Sequence, residues 1–237
     1  MIVLDVKCTL ARPAMINGEI HLDSLLSARH PGTHNKASTL TREDGACHVA
    51  PLPLAIARLA EAWVWCASAW RPDMLDGAGA LVKRRDGIDY LMTQRTVYPA
   101  VGADRDRLKR FGTIRGPLIF RACVPDGKSV RELQRLLRRV QQVGGLRKAG
   151  YGIVERWDVE PVEASPLSCL LNDGRSVRIL PATMMETSAR PEIRAVLPPY
   201  WQGVETMPAH PYGTSGSLCS EIVIRSTDSR HLWRPTG

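Results

Sequence analysis

The sequence has few of the features that mark several large protein classes. Aromatic residues make up 5% of the 237 residues, and only two are phenylalanine. The most apolar stretch, residues 49–70, contains two prolines, an arginine and a glutamate, which argues against a membrane span. The first residues lack the basic start and long apolar run of a signal peptide. We therefore expect a cytoplasmic protein without a membrane partner.

The six cysteines are also uninformative about metal binding. They lie at positions 8, 47, 66, 123, 169 and 219, with no CxxC pair and no tight Cys/His cluster. Structural zinc sites usually show such spacing. We predict reduced structural thiols, no cofactor and no metal site, while a zinc site assembled from distant residues is the less favoured alternative.

Positive charge is concentrated in one stretch. Residues 105–156 hold 14 Lys and Arg against four Asp and Glu, a net charge of +10, whereas the whole chain is +8. The remainder of the chain therefore sums to −2. A basic excess confined to one stretch is typical of a surface that binds a polyanion. A solvated helix face is the alternative reading of such a run.

The most distinctive stretch is the glycine-rich segment 144–152, Gly-Gly-Leu-Arg-Lys-Ala-Gly-Tyr-Gly. It follows a predicted helix and precedes a predicted strand, whereas nucleotide-binding glycine loops follow a strand and open a helix. Glycines permit positive φ angles and close backbone approach. Arg147 and Lys148 would meet phosphates and Tyr151 would stack on a base. A simple glycine cap at a helix end remains the alternative.

Hydrophobic periodicity predicts the order strand, helix, strand hairpin, strand, helix, strand over the first two thirds of the chain. Asp23 is expected to cap a short early helix, and Ser129 with Glu132 forms a capping box for the second long helix, which should continue to the glycine pair. The first long helix is predicted over residues 53–70. Strands are predicted over 2–10, 118–124 and 153–162, with 118–124 expected to be central in the sheet, and 81–85 with 90–98 are predicted to form a hairpin about Asp86-Gly87.

This order indicates an α+β fold with a ferredoxin-like, RRM-like β-α-β-β-α-β core over residues 1–164. Its open sheet face and adjoining loops are where related folds bind single-stranded RNA. Residues 165–237, richer in Pro and Gly, are expected to form a small β-rich extension with strands near 177–180, 193–197 and 221–224. Residues 102–116 are too polar for a core and predict a projecting basic loop that could be removed without unfolding the chain.

A glycine-rich loop between the second helix and the last strand of a ferredoxin-like core resembles the hallmark of the RAMP superfamily of CRISPR-associated proteins. Together with residues 20–26 (Ile-His-Leu-Asp-Ser-Leu-Leu) and 198–201 (Pro-Pro-Tyr-Trp), the loop resembles the Cas-five-like subunit of type IV CRISPR effector complexes.

The resemblance implies a non-catalytic subunit that caps the 5′ repeat-derived handle of the CRISPR RNA (crRNA). Its partners would be the crRNA, the backbone subunits, the large subunit and target DNA near the PAM end, and residues 102–116 would be the thumb. The residues expected to contact RNA are Arg105, Arg107, Lys109, Arg110, Phe111, Arg115, Gly144, Gly145, Arg147, Lys148, Gly150, Tyr151 and Gly152.

Two other functions stay open at this point. Some relatives are metal-independent endoribonucleases that cleave precursor crRNA, and the acid–base candidates here are His30, His34, Lys36 and Tyr151. These residues show no paired spacing typical of a catalytic site. The other alternative is a structural protein whose basic stretch binds an acidic protein.

Overall fold

The computed structural model describes residues 1–16, 18–30, 40–41, 47–48, 51–70, 77–83, 107–145, 147–197 and 206–226. Within these ranges short strands predominate, and two α-helices occur, α1 (Leu22–Ser27) and α2 (Gly127–Leu137). The chain is therefore α+β with mostly β structure, which confirms the predicted class. No helix in the described part of the chain is long and apolar enough to cross a bilayer.

The central sheet has three antiparallel strands, with β1 (Ile2–Leu10) between β11 (Leu118–Val124) and β12 (Val154–Pro161). Helix α2 connects β11 to β12 and buries three leucines in the shared core. All three strands were predicted to within one residue at each end. These strands can be predicted from the sequence because their apolar residues, which face this core, recur at the spacing of a strand.

The expectation that β11 is the central strand is wrong, because β1 occupies the centre. The apolar content of β11 has another cause. Residues 66–68 run along its outer edge, where the Ser68 N–H donates to the Arg121 carbonyl and the Cys123 N–H donates to the Cys66 carbonyl, both at 2.8 Å. The outer edge of β11 is therefore covered although no long strand pairs with it.

Helix α2 begins earlier and ends earlier than predicted. Its N-cap is Asp126, whose carboxylate accepts the Ser129 backbone N–H at 2.8 Å. Hydrogen bonds from Ser129 hold the pKa of Asp126 below its usual value. Helix α2 does not continue to the glycine pair, because residues 141–143 pair with 152–154 instead: the Val143 N–H donates to the Gly152 carbonyl and the Val154 N–H to the Gln141 carbonyl, both at 2.9 Å.

The predicted helix over 53–70 is wrong. This stretch forms a hairpin of β6 (Ile56–Leu59) and β7 (Ala62–Trp65), followed by the short β8 (Ala69–Trp70). The turn is closed by Arg58, whose Nε donates to the Ala60 carbonyl at 2.8 Å. Strand β6 also pairs with β20 (Val223–Arg225), from the other end of the chain. This distant partner overrides a local spacing that resembled a helix.

The predicted basic loop over 102–116 is also wrong where the structure describes it. Residues Arg107–Ile114 form strand β10, which lies between β2 (Ala14–Ile16) and β9 (Gly77–Lys83). Polarity misled the prediction, because a strand satisfies its backbone N–H and C=O groups by pairing with its neighbours, whatever the polarity of its side chains. Removing 102–116 would delete the central strand of this sheet. The predicted hairpin partner 90–98 lies outside the described residues, and 81–83 pair with β10 instead.

The remaining strands are short, and most lie in the C-terminal part. They are β3 (Ile20–His21), β4 (Leu40–Thr41), β5 (Cys47–His48), β13 (Leu171–Asn172), β14 (Arg175–Ser176), β15 (Leu180–Pro181), β16 (Met185–Glu186), β17 (Glu192–Ala195), β18 (Thr206–His210) and β19 (Ser217–Leu218). Residues on both sides of the expected boundary at 164 contribute to one buried cluster. The C-terminal part is therefore packed against the first part through a shared core.

A buried ion pair links the two parts. Arg178 Nη2 lies 3.1 Å from Asp23 Oδ2, and the side chains are 0% and 1% exposed. Arg178 Nη1 also donates to the carbonyls of Trp65 and Ala67. Asp23 therefore lies inside α1 and binds Arg178, and His21 occupies the N-cap position predicted for Asp23.

Removing one partner of this pair should strongly destabilise the fold. We expect Arg178→Met to lower the free energy of unfolding by about 3–5 kcal/mol, because the buried Asp23 carboxylate would lose the cation that balances its charge. Arg194→Met is the matched control, since its pair with Glu192 is exposed and should contribute less than about 1 kcal/mol. Urea denaturation measures both, and equal stability of the Arg178→Met variant and the unmodified chain would contradict the assignment.

Four cysteines are buried free thiols: Cys8, Cys66, Cys123 and Cys169. Burial raises the pKa of Cys8 to about 12 and also raises the pKa of the other three. Because the thiolate is the reactive form, we expect these four to resist alkylation in the folded protein at pH 8, whereas the partly exposed Cys219 reacts. Peptide mass spectrometry after brief iodoacetamide treatment checks this, and rapid native labelling of Cys66 would refute it.

Candidate nucleic-acid interface

The glycine-rich loop 144–152 is held by close backbone contacts. Gly144, Gly150 and Gly152 have φ angles of +78°, +81° and +65°. A Cβ atom on Gly144 would lie 2.5 Å from the Met15 carbonyl oxygen, and one on Gly152 would overlap the Val143 carbonyl oxygen. Glycine is required at positions 144 and 152 because both the backbone conformation and the space exclude a side chain.

The loop is bound to β2 and to the turn before it. The Gly145 N–H donates to the Met15 carbonyl at 2.6 Å, and the Gly152 N–H donates to the Pro13 carbonyl at 2.8 Å. These glycine amides therefore bind protein carbonyls, and the close backbone neighbours of the glycines are residues 13–15 and 143. Of the side chains between its glycines, those of Arg147, Ala149 and Tyr151 are exposed.

Strand β2 also connects the loop to the strands of the expected thumb. Met15 forms a bridge with Gly145 on one side and pairs with Thr113 of β10 on the other. Neighbouring strands lie about 4.8 Å apart, so the loop and the base of β10 are about 10 Å apart. Two stretches far apart in the sequence are thus brought to one place.

The predicted thumb residues that the structure describes lie on or next to β10. Four of them, Arg107, Lys109, Arg110 and Phe111, belong to the part of β10 that pairs with β9. Arg115 follows β10 and is exposed. Arg105, and the Pro-Pro-Tyr-Trp motif at 198–201, lie outside the described residues. The base of the basic segment, at Thr113, therefore lies one strand away from the glycine loop, and residues 107–111 continue β10 beyond the part that pairs with β2.

Arg147 and Tyr151 are two exposed residues of the loop. Arg147 opens a single 3-10 turn with Lys148 and Ala149, and its carbonyl accepts the Gly150 N–H and the Gln142 side-chain amide, each at 3.0 Å. Tyr151 is 36% exposed and is the one aromatic among the exposed large apolar side chains in the described part of the chain. A fixed turn thus presents a cation and an aromatic ring to solvent.

The sequence reasoning missed Arg12, which lies in the turn between β1 and β2. The Ile153 carbonyl accepts the N–H of Ala11 at 2.8 Å and that of Arg12 at 3.4 Å. The Arg12 guanidinium lies beside Gly150, where Nη1 would be 3.3 Å from a Cβ at that position. The only sequence signal was an Arg-Pro pair before a short apolar run, which predicts a turn and nothing about its partner.

The open face of the central sheet has a different character. Its charged residues cancel: the three cations are Lys7, Arg121 and Arg156, and the three acids are Asp5, Asp158 and Glu160. Arg121 binds Asp5 at 2.8 Å and Arg156 binds Asp158 at 3.0 Å. Ile119, 56% exposed, lies beside them. This balanced face does not form the basic platform that a polyanion requires.

A separate group of cations lies on the outward face of α2. Because a helix turns about 100° per residue, these side chains point away from the buried leucines: Lys128, Arg131, Arg135, Arg138 and Arg139, all exposed. Arg135 pairs with Glu132 at 3.2 Å. The solvated-face reading of the basic run therefore describes these five residues, which belong to a different element from the glycine loop.

His30 lies beside this helix. Its pKa is lowered, chiefly by partial burial, and Glu132, Arg135 and Arg139 are its charged neighbours. His34 and Lys36, the other candidates for acid–base chemistry, lie outside the described residues. Tyr151 belongs to the glycine loop, and no contact in the described part of the chain joins it to His30.

No protein-family model matches the chain. No curated protein matches it at a significant level.

The need for glycine at position 152 can be measured directly. We expect Gly152→Ala to lower the free energy of unfolding by at least about 2 kcal/mol, because a Cβ there would meet the Val143 carbonyl and force a left-handed alanine. Gly127→Ala is the control, since it opens α2 with no heavy atom within 4 Å of the added carbon and should change stability by less than about 1 kcal/mol. Denaturation curves that rank the two variants alike would show that the loop tolerates a side chain.

Proposed function

We propose that this chain is a non-catalytic RNA-binding subunit of a CRISPR effector ribonucleoprotein, and that it caps the 5′ repeat-derived handle of the crRNA. The observation that carries the proposal is the double pairing of Met15, which brings the glycine loop and the β10 segment together. In the sequence these two stretches were the separate halves of one predicted RNA contact. Their proximity supports a single interface.

The topology of the central sheet supports a ferredoxin-like core of the kind found in the RAMP superfamily. Strand β1 lies between β11 and β12, and α2 joins those two outer strands. That arrangement corresponds to the second half of a β-α-β-β-α-β unit. We propose that residues 66–68, which form an isolated bridge with β11 through Ala67 and Ala122, occupy the position of the remaining strand, which is the second strand of that unit in chain order.

The charge pattern favours the loop over the sheet as the RNA-binding surface. RNA-recognition folds commonly stack bases on an aromatic sheet face, but the open face here is charge-balanced. The loop instead offers Arg147 and exposed Tyr151. Lys148 lies between them in the sequence, and β10 with its cations is separated from the loop by β2. Phosphate contacts with one stacked base suit a handle held in one conformation.

The partners follow from the same proposal. A cap at the end of a guide RNA contacts the adjoining backbone subunit and the large subunit, and target DNA near the PAM end would pass close by. The exposed cations of α2 offer a second charged surface for such neighbours. Cytoplasmic assembly with the crRNA remains part of the proposal.

Binding of repeat RNA tests the proposal. We expect the Arg147→Ala/Lys148→Ala double variant to bind single-stranded repeat RNA at least tenfold more weakly, and the dependence of log K on log salt to become less steep by about 1.4, or about 0.7 for each phosphate that the variant no longer neutralises. Arg190→Ala/Arg225→Ala is the matched control, because it removes two exposed arginines elsewhere. Filter binding measures both effects.

The decisive negative result is wild-type protein that binds no repeat RNA, either alone or with its partner subunits. Equal RNA affinity of the Arg147→Ala/Lys148→Ala variant and the Arg190→Ala/Arg225→Ala control would also contradict the proposal. Any loss of affinity relative to wild type would then result from the lower net charge and not from the position of the two residues.

A further inference from the structure

We infer that Arg12, Arg147 and Tyr151 form a subsite for one nucleotide of single-stranded RNA, with Gly150 as its floor. The inference rests on the proposed function and adds to it a residue from outside the basic stretch. Arg12 lies 93 positions before Arg105, in a turn that neither the motif nor the charge pattern singled out.

The backbone fixes the position of Arg12 relative to the loop. Residues 11–13 run beside residues 152–153, and three hydrogen bonds join them: Ala11 N–H and Arg12 N–H to the Ile153 carbonyl, and Gly152 N–H to the Pro13 carbonyl. Since both ends of the turn continue into paired strands, β1 and β2, Arg12 is held by the fold.

Gly150 allows the guanidinium to lie over the loop. With φ of +81°, a Cβ at this position would approach Arg12 Nη1 to 3.3 Å, and the guanidinium is the nearest neighbour that this carbon would meet. Arg147 is fixed on the same turn by the Gly150 N–H bond to its carbonyl, and Tyr151 is the next residue. Arg12 lies over Gly150, Arg147 is bound to it through the backbone and Tyr151 follows it in the sequence, so the three residues share one glycine as a neighbour.

The charge of this group is uncompensated in the described part of the chain. Salt bridges there pair Arg121, Arg135, Arg156, Arg178 and Arg194 with acids, but none involves Arg12 or Arg147. The sequence contains no Asp or Glu in residues 6–18 or 133–154. Two exposed arginines without an acid leave their donors available for an anion.

The side chains together select the ligand. Guanidinium groups bind phosphate oxygens in a bidentate manner, and a tyrosine ring stacks on a base. A backbone floor without a side chain admits a close sugar-phosphate chain. A base can reach Tyr151 only when it is unstacked and unpaired, so the ligand is a single-stranded nucleotide unit and a duplex is excluded.

The test uses the full chain and a fluorescein-labelled ten-nucleotide oligouridine RNA, single-stranded or annealed to oligoadenosine, in fluorescence anisotropy across a salt series. We expect Arg12→Ala to weaken single-strand binding about tenfold and to reduce the salt slope by about 0.7, while Arg12→Lys keeps the slope but loses part of the affinity. The Arg12→Ala/Arg147→Ala double variant should lose less than the product of the two single effects.

Arg190→Ala is the control for loss of one exposed charge. If Arg12→Ala matches Arg190→Ala while Arg147→Ala/Lys148→Ala loses binding, the inference is overturned and the proposed function stands. Equal binding of the duplex also overturns the inference. Wild-type protein that binds neither oligouridine nor repeat RNA would overturn both. Thermal unfolding of each variant confirms that the chain remains folded.

Discussion

The two-sided pairing of Met15 is the constraint on which the arrangement of the candidate site depends. Its carbonyl accepts the Gly145 N–H at 2.6 Å, and on its other side Met15 pairs with Thr113 of β10. Because Ala14 and Ile16 of the same strand belong to the buried core, β2 holds both neighbours of Met15 against that core. The glycine loop, the β10 segment and the Arg12 turn therefore share one short strand as their common support.

This support explains why the loop contains glycine. A phosphate-binding loop uses its free amides, but here the amides of Gly145 and Gly152 bind protein carbonyls. The glycines allow the loop to pack closely on β2, and recognition is left to the side chains between them. In this account the glycines form a scaffold for Arg147 and Tyr151, and specificity resides in the residues that they position.

The buried Asp23–Arg178 ion pair joins the first part of the chain to the C-terminal part. Asp23 belongs to α1 and Arg178 to the C-terminal part. Arg178 also donates to the carbonyl of Trp65, the last residue of β7, and to that of Ala67. An ion pair without water is stabilising only when its remaining donors are satisfied. Here backbone carbonyls provide those partners, so the C-terminal part is fixed to the first part at one defined place.

The elements that could be predicted from the sequence are those whose apolar residues repeat at the period of a strand or a helix. Strands β1, β11 and β12 and the buried stripe of α2 carry apolar residues at the period of their structure. The hairpin over 56–65 was missed because its apolar spacing resembles that of a helix, and β10 was missed because it is polar. Further partners of these strands, β20 and β2, are distant in the sequence. The position of the glycine loop was predicted, but its binding to Met15 and the approach of Arg12 depend on a register that no local pattern records.

Mapping the RNA contact at residue level is the most direct measurement of the central claim. Ultraviolet cross-linking of the assembled protein to repeat RNA, followed by mass spectrometry of the cross-linked peptides, reports which surface the RNA touches. We expect cross-links at Tyr151 and in the peptides that carry Arg12, Arg147 and β10. Cross-links confined to the open face of β1, β11 and β12, around Lys7 and Ile119, would contradict it.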